Sequence, residues 1–356
     1  MAKAIQIRQL NREWIKKMIT TAVVDPEKQA NLMEVSVIAD SISVNKKRIT
    51  TFELTYPRFI HSEFLTHRLF SRNSASSRAI PFEKVLEQVK NNPASPLFWG
   101  VNKPGMQAGE YLKGHKIATA KFTWLQAAKS AVIEAEKLNK LGLHKQVVNR
   151  VLEPFVFMRT VLTTTELANW FWLRDHKDAQ PEIRKLAQLM YEALSFSKTK
   201  QLKPGEWHVP YYEEGYWAPT DIVEAEKGRV DIDENGASLE EAKAISASCC
   251  AQVSYRTNDS SLEKALKIKD RLIGDGEGPV HASPFEHQAT PMQFCDSEQY
   301  LHNILTNCKS QSDLDSGDYG WEDGITHVAT NKEYWSGNFC GWIQNRQLIK
   351  GHSKWS

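Results

Sequence analysis

Apolar and polar positions change rhythm several times along the chain. Val35 to Ser43 alternates in part and Ile49 to Tyr56 continues the pattern up to Pro57, so residues 34–65 predict β structure. Residues 67–78, HRLFSRNSASSR, break the alternation, and residues 93–115 carry enough Gly and Pro to predict a long loop. From about Lys121 to Leu141 apolar residues recur at helical spacing, at 124, 125, 128, 131, 132, 135 and 138, and Gly142 ends the run. Helix is predicted over 144–160 and 164–174, with Pro154 interrupting, and again from Pro181 to about Phe196. A loop rich in aromatics and prolines follows around Trp207 to Pro219. Ser238 to Ala251 opens on a capping box between Ser238 and Glu241, and Ser261 to Ile273 stops at Gly274. A further helix is expected to end at Cys308, with Ser297 as its N-cap. The C-terminal stretch WSGNFCGWIQNRQL is aromatic and polar, which predicts packing rather than a free tail. Together these elements predict a helix-rich α+β fold.

Composition narrows the class. At about 150 residues per domain, 356 residues fit either two domains or one enlarged α/β-type domain. Lys plus Arg is 45 and Asp plus Glu 43, a net charge of +2, which argues against a general nucleic-acid coat. The N-terminus, MAKAIQIRQLNREWIKKM, lacks an apolar signal-peptide core, and no apolar run approaches the roughly 20 residues that span a bilayer. The five cysteines, Cys249, Cys250, Cys295, Cys308 and Cys340, form no CxxC pair and predict neither a disulfide framework nor a zinc site. Free thiols in a reducing cytoplasm are the expectation.

Three segments carry candidate chemistry. Between Glu63 and Glu83 there is no acidic residue, while His67, Arg68, Arg72, Asn73, Arg78 and the serines Ser71, Ser74, Ser76 and Ser77 crowd together. Arginines and hydroxyls without carboxylates suit a phosphate, although a solvated basic loop has the same composition. Arg174 ends the aromatic stretch ANWFWL, five residues after Asn169, where it either binds a ligand or covers aromatic surface with its stem. The third segment runs His281-Ala-Ser-Pro-Phe-Glu-His287. Pro284 breaks the helix that an HExxH metal site needs, so hydrogen bonding to a polar ligand is expected there and a metal is not.

Read together, these segments resemble the flavin-dependent thymidylate synthases, whose signature is RHRxxSxNExSxRY. Here the stretch from Thr66 to Ala79 matches that signature in register at His67, Arg68, Ser71, Asn73, Ser76 and Arg78. It departs at Thr66 for the first Arg, Ser74 for Glu and Ala79 for Tyr. Asn169-Trp170-Phe171-Trp172-Leu173-Arg174, followed by Asp178-Ala179-Gln180, resembles the family's NFLxLR helix and its HAQ-like tail. Arg150, in NRVLEP, resembles the arginine of RxxLP. The family's N-terminal ARVSY and GHxSPFEH motifs resemble Cys250-Ala-Gln-Val-Ser254-Tyr255 and His281 to His287, which lie after the signature rather than before it. The order resembles a circular permutation.

The resemblance implies a fold built on a central antiparallel sheet, in one catalytic domain over residues 1–356. The signature and nucleotide segment would occupy 34–200 and the permuted flavin-contacting segment 245–292. Insertions fall at 95–118 and 203–236, with a C-terminal extension at 295–356. It implies reductive methylation of dUMP at C5 to dTMP, with FAD as cofactor and methylenetetrahydrofolate and NADPH as co-substrates. Ser76, Arg78, Arg150 and Arg174 would bind the nucleotide, Arg174 also being the catalytic residue. His67, Arg68, Asn169, Ser254, Ser283 and Glu286 would contact the flavin. No Pro-Cys pair exists, so the nucleophilic cysteine of the unrelated thymidylate synthases is not expected. No GxGxxG fingerprint exists either, so the flavin is not expected on a Rossmann unit. The family's homotetramer is implied as well. Two alternatives stand beside this reading. Thr66 and Ser74 motivate a hydroxymethylated product or dCMP as substrate. The basic loop and the aromatics near 207–217 motivate a non-catalytic nucleotide- or nucleic-acid-binding protein.

Overall fold

The computed structural model describes residues 32–219, 221–225, 228–232, 238–254, 259–274, 280–294 and 321–353. β1 (Glu34–Ser43) and β2 (Arg48–Pro57) form an antiparallel hairpin. β4 (Phe157–Thr164) pairs along its whole length with Thr50–Pro57 of β2, and the short β3 (Ser71–Ser74) lies on the outer edge of β4. β5 (Lys200–Leu202) joins β1 in parallel, giving the order β3-β4-β2-β1-β5. The fold is the expected mixture of helices with a mainly antiparallel central sheet.

The two-residue period of β2 assigns its faces. Phe52, Leu54 and Tyr56, all 0% exposed, point to one side. There they meet Trp170 of α5 (Ala168–Arg174) and Ile183, Leu186, Ala187 and Met190 of α6 (Pro181–Phe196), which recur at helical spacing. Ile49 and Thr51 point to the other side. That side is covered by β6 (Trp207–His208), β10 (Ala289–Pro291) and β14 (Trp342–Gln344), which form a second sheet with β7 (Tyr216–Trp217). A separate cluster joins α2 (Phe82–Asn91), α3 (His115–Lys140) and α4 (Lys145–Leu152) through Val85, Val89, Ala128, Val132, Ala135, Val148 and Leu152. The hairpin β8 (Asp221–Ala225) and β9 (Gly228–Ile232) forms its own two-stranded sheet. Helices α7 (Leu239–Ala251) and α8 (Leu262–Ile273) follow. Near the C-terminus β11 (His327–Val328), β12 (Tyr334–Ser336) and β13 (Phe339–Cys340) make a three-stranded sheet. Among the described residues no helix is long and apolar enough to cross a membrane.

Several boundaries differ from the sequence expectation. The helix expected over 144–160 stops at Leu152, where Glu153–Phe155 turn as a 3-10 helix carrying Pro154, and the β-branched run after Phe157 pairs with β2 instead. The next helix begins at Ala168, not 164, and α3 begins at His115, ahead of its apolar periodicity. Residues 67–78 contain β3, and the aromatic loop after Trp207 contains β6 and β7. In both places tertiary pairing overrides local composition. The capping box of α7 forms as expected, with Glu241 N–H donating to Ser238 Oγ (3.3 Å) and Ser238 N–H to Glu241 Oε2 (2.9 Å). The helix expected before Cys308, its cap Ser297, and Tyr255 lie outside the described residues.

Candidate active site

The acid-free segment wraps the edge of the central sheet. The short helix α1 (His61–Leu65) leads into it, and Arg72 Nη1 folds back to donate to the carbonyls of Phe64 (3.3 Å), Leu65 (3.2 Å) and His67 (2.9 Å). The turn is thereby held by one arginine. Inside it His67 is buried, with its ring 4.4 Å from Phe70 and 5.4 Å from Trp170. Burial lowers its pKa, and the positive charges of Arg174 and Arg72 lower it further, which favours the neutral imidazole. Arg174 ends α5 and donates from Nη2 to Thr66 Oγ1 (3.1 Å). His67 Nε2 and Arg174 Nε are both buried without a hydrogen-bond partner among the described residues. Arg68 is exposed beside them, and Asn169 is exposed on the first turn of α5. Thr66, His67, Arg68, Asn169 and Arg174 therefore make one corner of the site.

The alternation of β3 sends Arg72 toward α1 and Asn73 the other way. Asn73 meets the 3-10 turn Ser283–Glu286 and the following His287. Its amide nitrogen faces His287 Nε2 (3.2 Å), Arg72 O (3.2 Å) and Ser283 O (3.1 Å). Glu286 is ion-paired with Arg346, and its carbonyl accepts from Gln344 Nε2 (3.1 Å). Gln344 also donates to Ser71 Oγ (3.0 Å), whose own proton goes to Asn338 Oδ1 (3.0 Å). Ser76 N–H donates to Ser254 Oγ (2.9 Å). Ser254, Ser283 and Glu286 therefore reach the signature although 178 and 210 residues separate the bonded pairs Ser76–Ser254 and Asn73–Ser283. They form a second corner, on the other side of β3 from His67.

The nucleotide-binding expectations fall beyond β3. Ser76 is half-buried, its Oγ accepting from Arg78 N–H (3.3 Å), and Arg78 is exposed. Neither the Arg78 nor the Arg68 guanidinium has an ion-pair partner among the described residues. Arg150 does have one. Glu153 Oε1 accepts from Arg150 Nη1 (3.1 Å), from Ser77 Oγ (2.7 Å) and from Arg58 Nη2 (3.0 Å), so the carboxylate ties Arg150 to the loop. Asn149 Nδ2 donates to the carbonyls of Ser77 (2.7 Å) and Ile80 (3.1 Å), fixing the loop from beneath. At the two positions where the signature is altered, Thr66 accepts from Arg174, and Ser74 Oγ bonds Thr160 Oγ1 (2.8 Å).

Sequence reasoning did not single out Glu153, Gln344 or Arg346. Arg346 and Gln344 had no motif to mark them, while Glu153 stood inside the NRVLEP stretch quoted for Arg150. The described thiols are all buried and held protonated by that burial, Cys249 up to about 11, Cys340 up to about 12 and Cys250 well above its ordinary value. Among the described residues no group of His, Cys, Asp and Glu is placed to hold a metal. Unpaired guanidiniums beside buried polar atoms without partners fit anionic ligands rich in acceptors, a description that covers a nucleotide and an FAD alike.

A basic, hydroxyl-rich loop on the edge of an α+β sheet marks a candidate site for an anionic ligand. The family model described as thymidylate synthase complementing protein matches residues 3–196, more than half of the chain. The chain belongs to that family and is an enzyme of the flavin-dependent thymidylate synthase type, acting on a pyrimidine nucleotide at C5. Its membership sets aside the reading as a non-catalytic binding protein. Among solved structures, the chain is similar to the UMP/dUMP methylase PolB from Streptomyces cacaoi bound with 5-Br dUMP. That match has 16% identity and a TM-score of 0.37, covering 46% of this chain and 90% of that one. The same methylase bound with 5-Br UMP gives 18% identity and a TM-score of 0.36, covering 46% and 88%. No curated protein matches the sequence.

Proposed function

We infer that this enzyme methylates dUMP at C5 to give dTMP in the cytoplasm, without a cysteine nucleophile. The carbon comes from methylenetetrahydrofolate, which leaves as tetrahydrofolate, and NADPH supplies the two electrons that reduce the transferred methylene to methyl. FAD, when bound, carries those electrons. The observation that supports this most directly is the pair of buried polar atoms without partners, His67 Nε2 and Arg174 Nε, beside the acid-free loop.

Arg174 is assigned the catalytic role. C5 of uracil is a weak nucleophile until charge builds on the ring, and a fixed guanidinium at the carbonyl edge stabilises that charge. Thr66 holds Arg174 by one Nη2 bond (3.1 Å) and leaves its Nε for a ligand. Ser76 and Arg78 bind the nucleotide, chiefly its phosphate, and Arg150, tied to the same loop by its ion pair with Glu153, assists them. They contribute position rather than proton chemistry. His67, Arg68 and Asn169 on one side of β3, and Ser254, Ser283 and Glu286 on the other, are assigned to the flavin. The family resemblance implies a homo-oligomer, with the homotetramer as the expected form. The docking of 245–292 onto the signature fits a permuted segment order within one catalytic domain.

Titration of the purified protein with FAD, followed by absorption near about 370 and 450 nm, tests the cofactor. Bound flavin is expected, and a protein that stays colourless refutes the reading. A second reading is favoured by Thr66 and Ser74, whose hydroxyls stand where the signature carries charge. It replaces dUMP by dCMP or makes a hydroxymethyl product, and mass analysis of products from the two nucleotides separates the readings.

A further inference from the structure

Beneath the flavin-assigned corner runs a buried chain of polar side chains that the reaction does not use. Ser41 Oγ lies 2.9 Å from His208 Nδ1, and His208 Nε2 lies 2.8 Å from Thr51 Oγ1. Thr51 Oγ1 lies 2.7 Å from Thr163 Oγ1, because the two residues face each other in the β2–β4 register. Thr163 Oγ1 is 2.8 Å from His287 Nδ1, and His287 Nε2 reaches the Asn73 amide at 3.2 Å. His208, His287, Thr51 and Thr163 are each 0% exposed and Ser41 is 1% exposed, so water cannot substitute for any of these bonds.

One end of the chain fixes the direction of every bond. The carbonyls of Arg72 and Ser283 can only accept, so the Asn73 group facing them is its NH2. The same NH2 faces His287 Nε2, which must present a lone pair, and the proton of His287 is therefore on Nδ1. That proton goes to Thr163 Oγ1. Thr163 has one proton of its own, which goes to Thr51, and Thr51 in turn donates to His208 Nε2. His208 is then also protonated on Nδ1 and donates to Ser41. The same orientation places Asn73 Oδ1 3.4 Å from Ser283 Oγ, a residue of the flavin-assigned set.

We propose that His287 is a positioning residue of this site, locked as the neutral Nδ1–H tautomer by a one-directional relay through Thr163, Thr51 and His208, and that it thereby fixes the orientation of Asn73 and Ser283. Charged neighbours do not compete with the lock. Asp40, whose charge favours a protonated His208, is tied to Arg48 Nε (2.9 Å) and Thr50 Oγ1 (3.0 Å). His287 faces His208 and no acid, and burial pushes both imidazoles down to about 3.

The direct test is a long-range proton–nitrogen correlation spectrum of histidine-labelled wild-type protein, with signals assigned by loss in His208→Gln and His287→Gln. Both rings are expected as Nδ1–H tautomers, unchanged between about pH 5 and 8. An Nε2–H tautomer or an imidazolium at either ring overturns the relay, and this arm needs no assumption about the reaction. A second arm rests on the proposed function. Thr163→Val is nearly isosteric but removes the hydroxyl, and it should abolish the Nδ1–H signature of His287. It should also lower kcat by about tenfold, leaving the nucleotide KM within about twofold, and Thr163→Ser should restore both. A valine variant with wild-type tautomer and kcat refutes the positioning role. A chain with no dUMP turnover but the expected tautomers would overturn the proposed function and leave the relay standing.

Discussion

Removing the Ser254 hydroxyl should loosen the signature loop from a position 178 residues away. Ser76 N–H donates to Ser254 Oγ at 2.9 Å, and that bond is the direct link between the loop and the end of α7. In Ser254→Ala the amide loses its acceptor. A fully buried donor left unsatisfied costs about 1–3 kcal/mol. Ser76 and Ser254 are only half-buried, so water partly replaces the hydroxyl and the low end, about 1 kcal/mol, applies. At about 2.1 cal/mol/K per residue, that loss lowers the melting temperature of this chain by only about 1–2 °C. The nucleotide reads the same free energy more sensitively, because the loop must be docked to bind it. About 1 kcal/mol corresponds to a roughly fivefold rise in the dUMP dissociation constant. Calorimetric titration of dUMP into the wild type, Ser254→Ala and Ser254→Thr measures this. The threonine variant keeps the oxygen and should bind like the wild type. Unchanged dUMP affinity in the alanine variant, or equal weakening in the threonine variant, would show that the bond does not position the loop.

Further outcomes follow from other parts of the structure. Arg174→Ala should lower kcat by about 10²–10³ while FAD still binds, as expected for a lost stabiliser of developing charge, and wild-type turnover in that variant removes Arg174 from the mechanism. Trp170, fully buried with its ring 5.3 Å from Phe70, 5.4 Å from His67 and 5.7 Å from Phe64, should cost about 3–5 kcal/mol on change to alanine, read by denaturant unfolding. His208 and His287 have pKa values pushed from the ordinary 6.5 down to about 3, so below about pH 6.5 the unfolded chain binds protons that the folded chain refuses. Their contribution is present in full above about 6.5. It is lost as pH falls toward 3, by about 1.4 kcal/mol per pH unit for each ring, and stability measured from pH 7 down to 4 should slope accordingly.

The candidate ligand loop could be read from the sequence because its chemistry is local. The arginines and serines of 66–78 sit in one register, and their lack of acids suits an anionic ligand before any fold is known. Where periodicity was clear, as in α6 and α7, helix bounds followed the pattern closely. β4 was hidden because Phe157–Thr164 mixes apolar residues with threonines and Arg159 without a clear alternation, and a short, mostly buried run reads equally as helix or strand until β2 supplies a partner. Non-local bonds account for the other omissions. Arg346 matters through Glu286, sixty residues earlier, and Thr51 and Thr163 matter only because the register sets their hydroxyls face to face. No local pattern records such a pairing. Motif resemblance assigned Ser254 and Ser283 to the flavin, and in the fold they hydrogen-bond to the signature residues Ser76 and Asn73.

The central claim is that this site methylates dUMP at C5. Incubation of the purified enzyme with FAD, NADPH, methylenetetrahydrofolate and dUMP, with the product identified by mass spectrometry, tests it most directly. The account predicts dTMP together with one tetrahydrofolate and one oxidised NADPH per turnover. Unchanged dUMP in the presence of bound flavin, or a product formed only from dCMP, contradicts it.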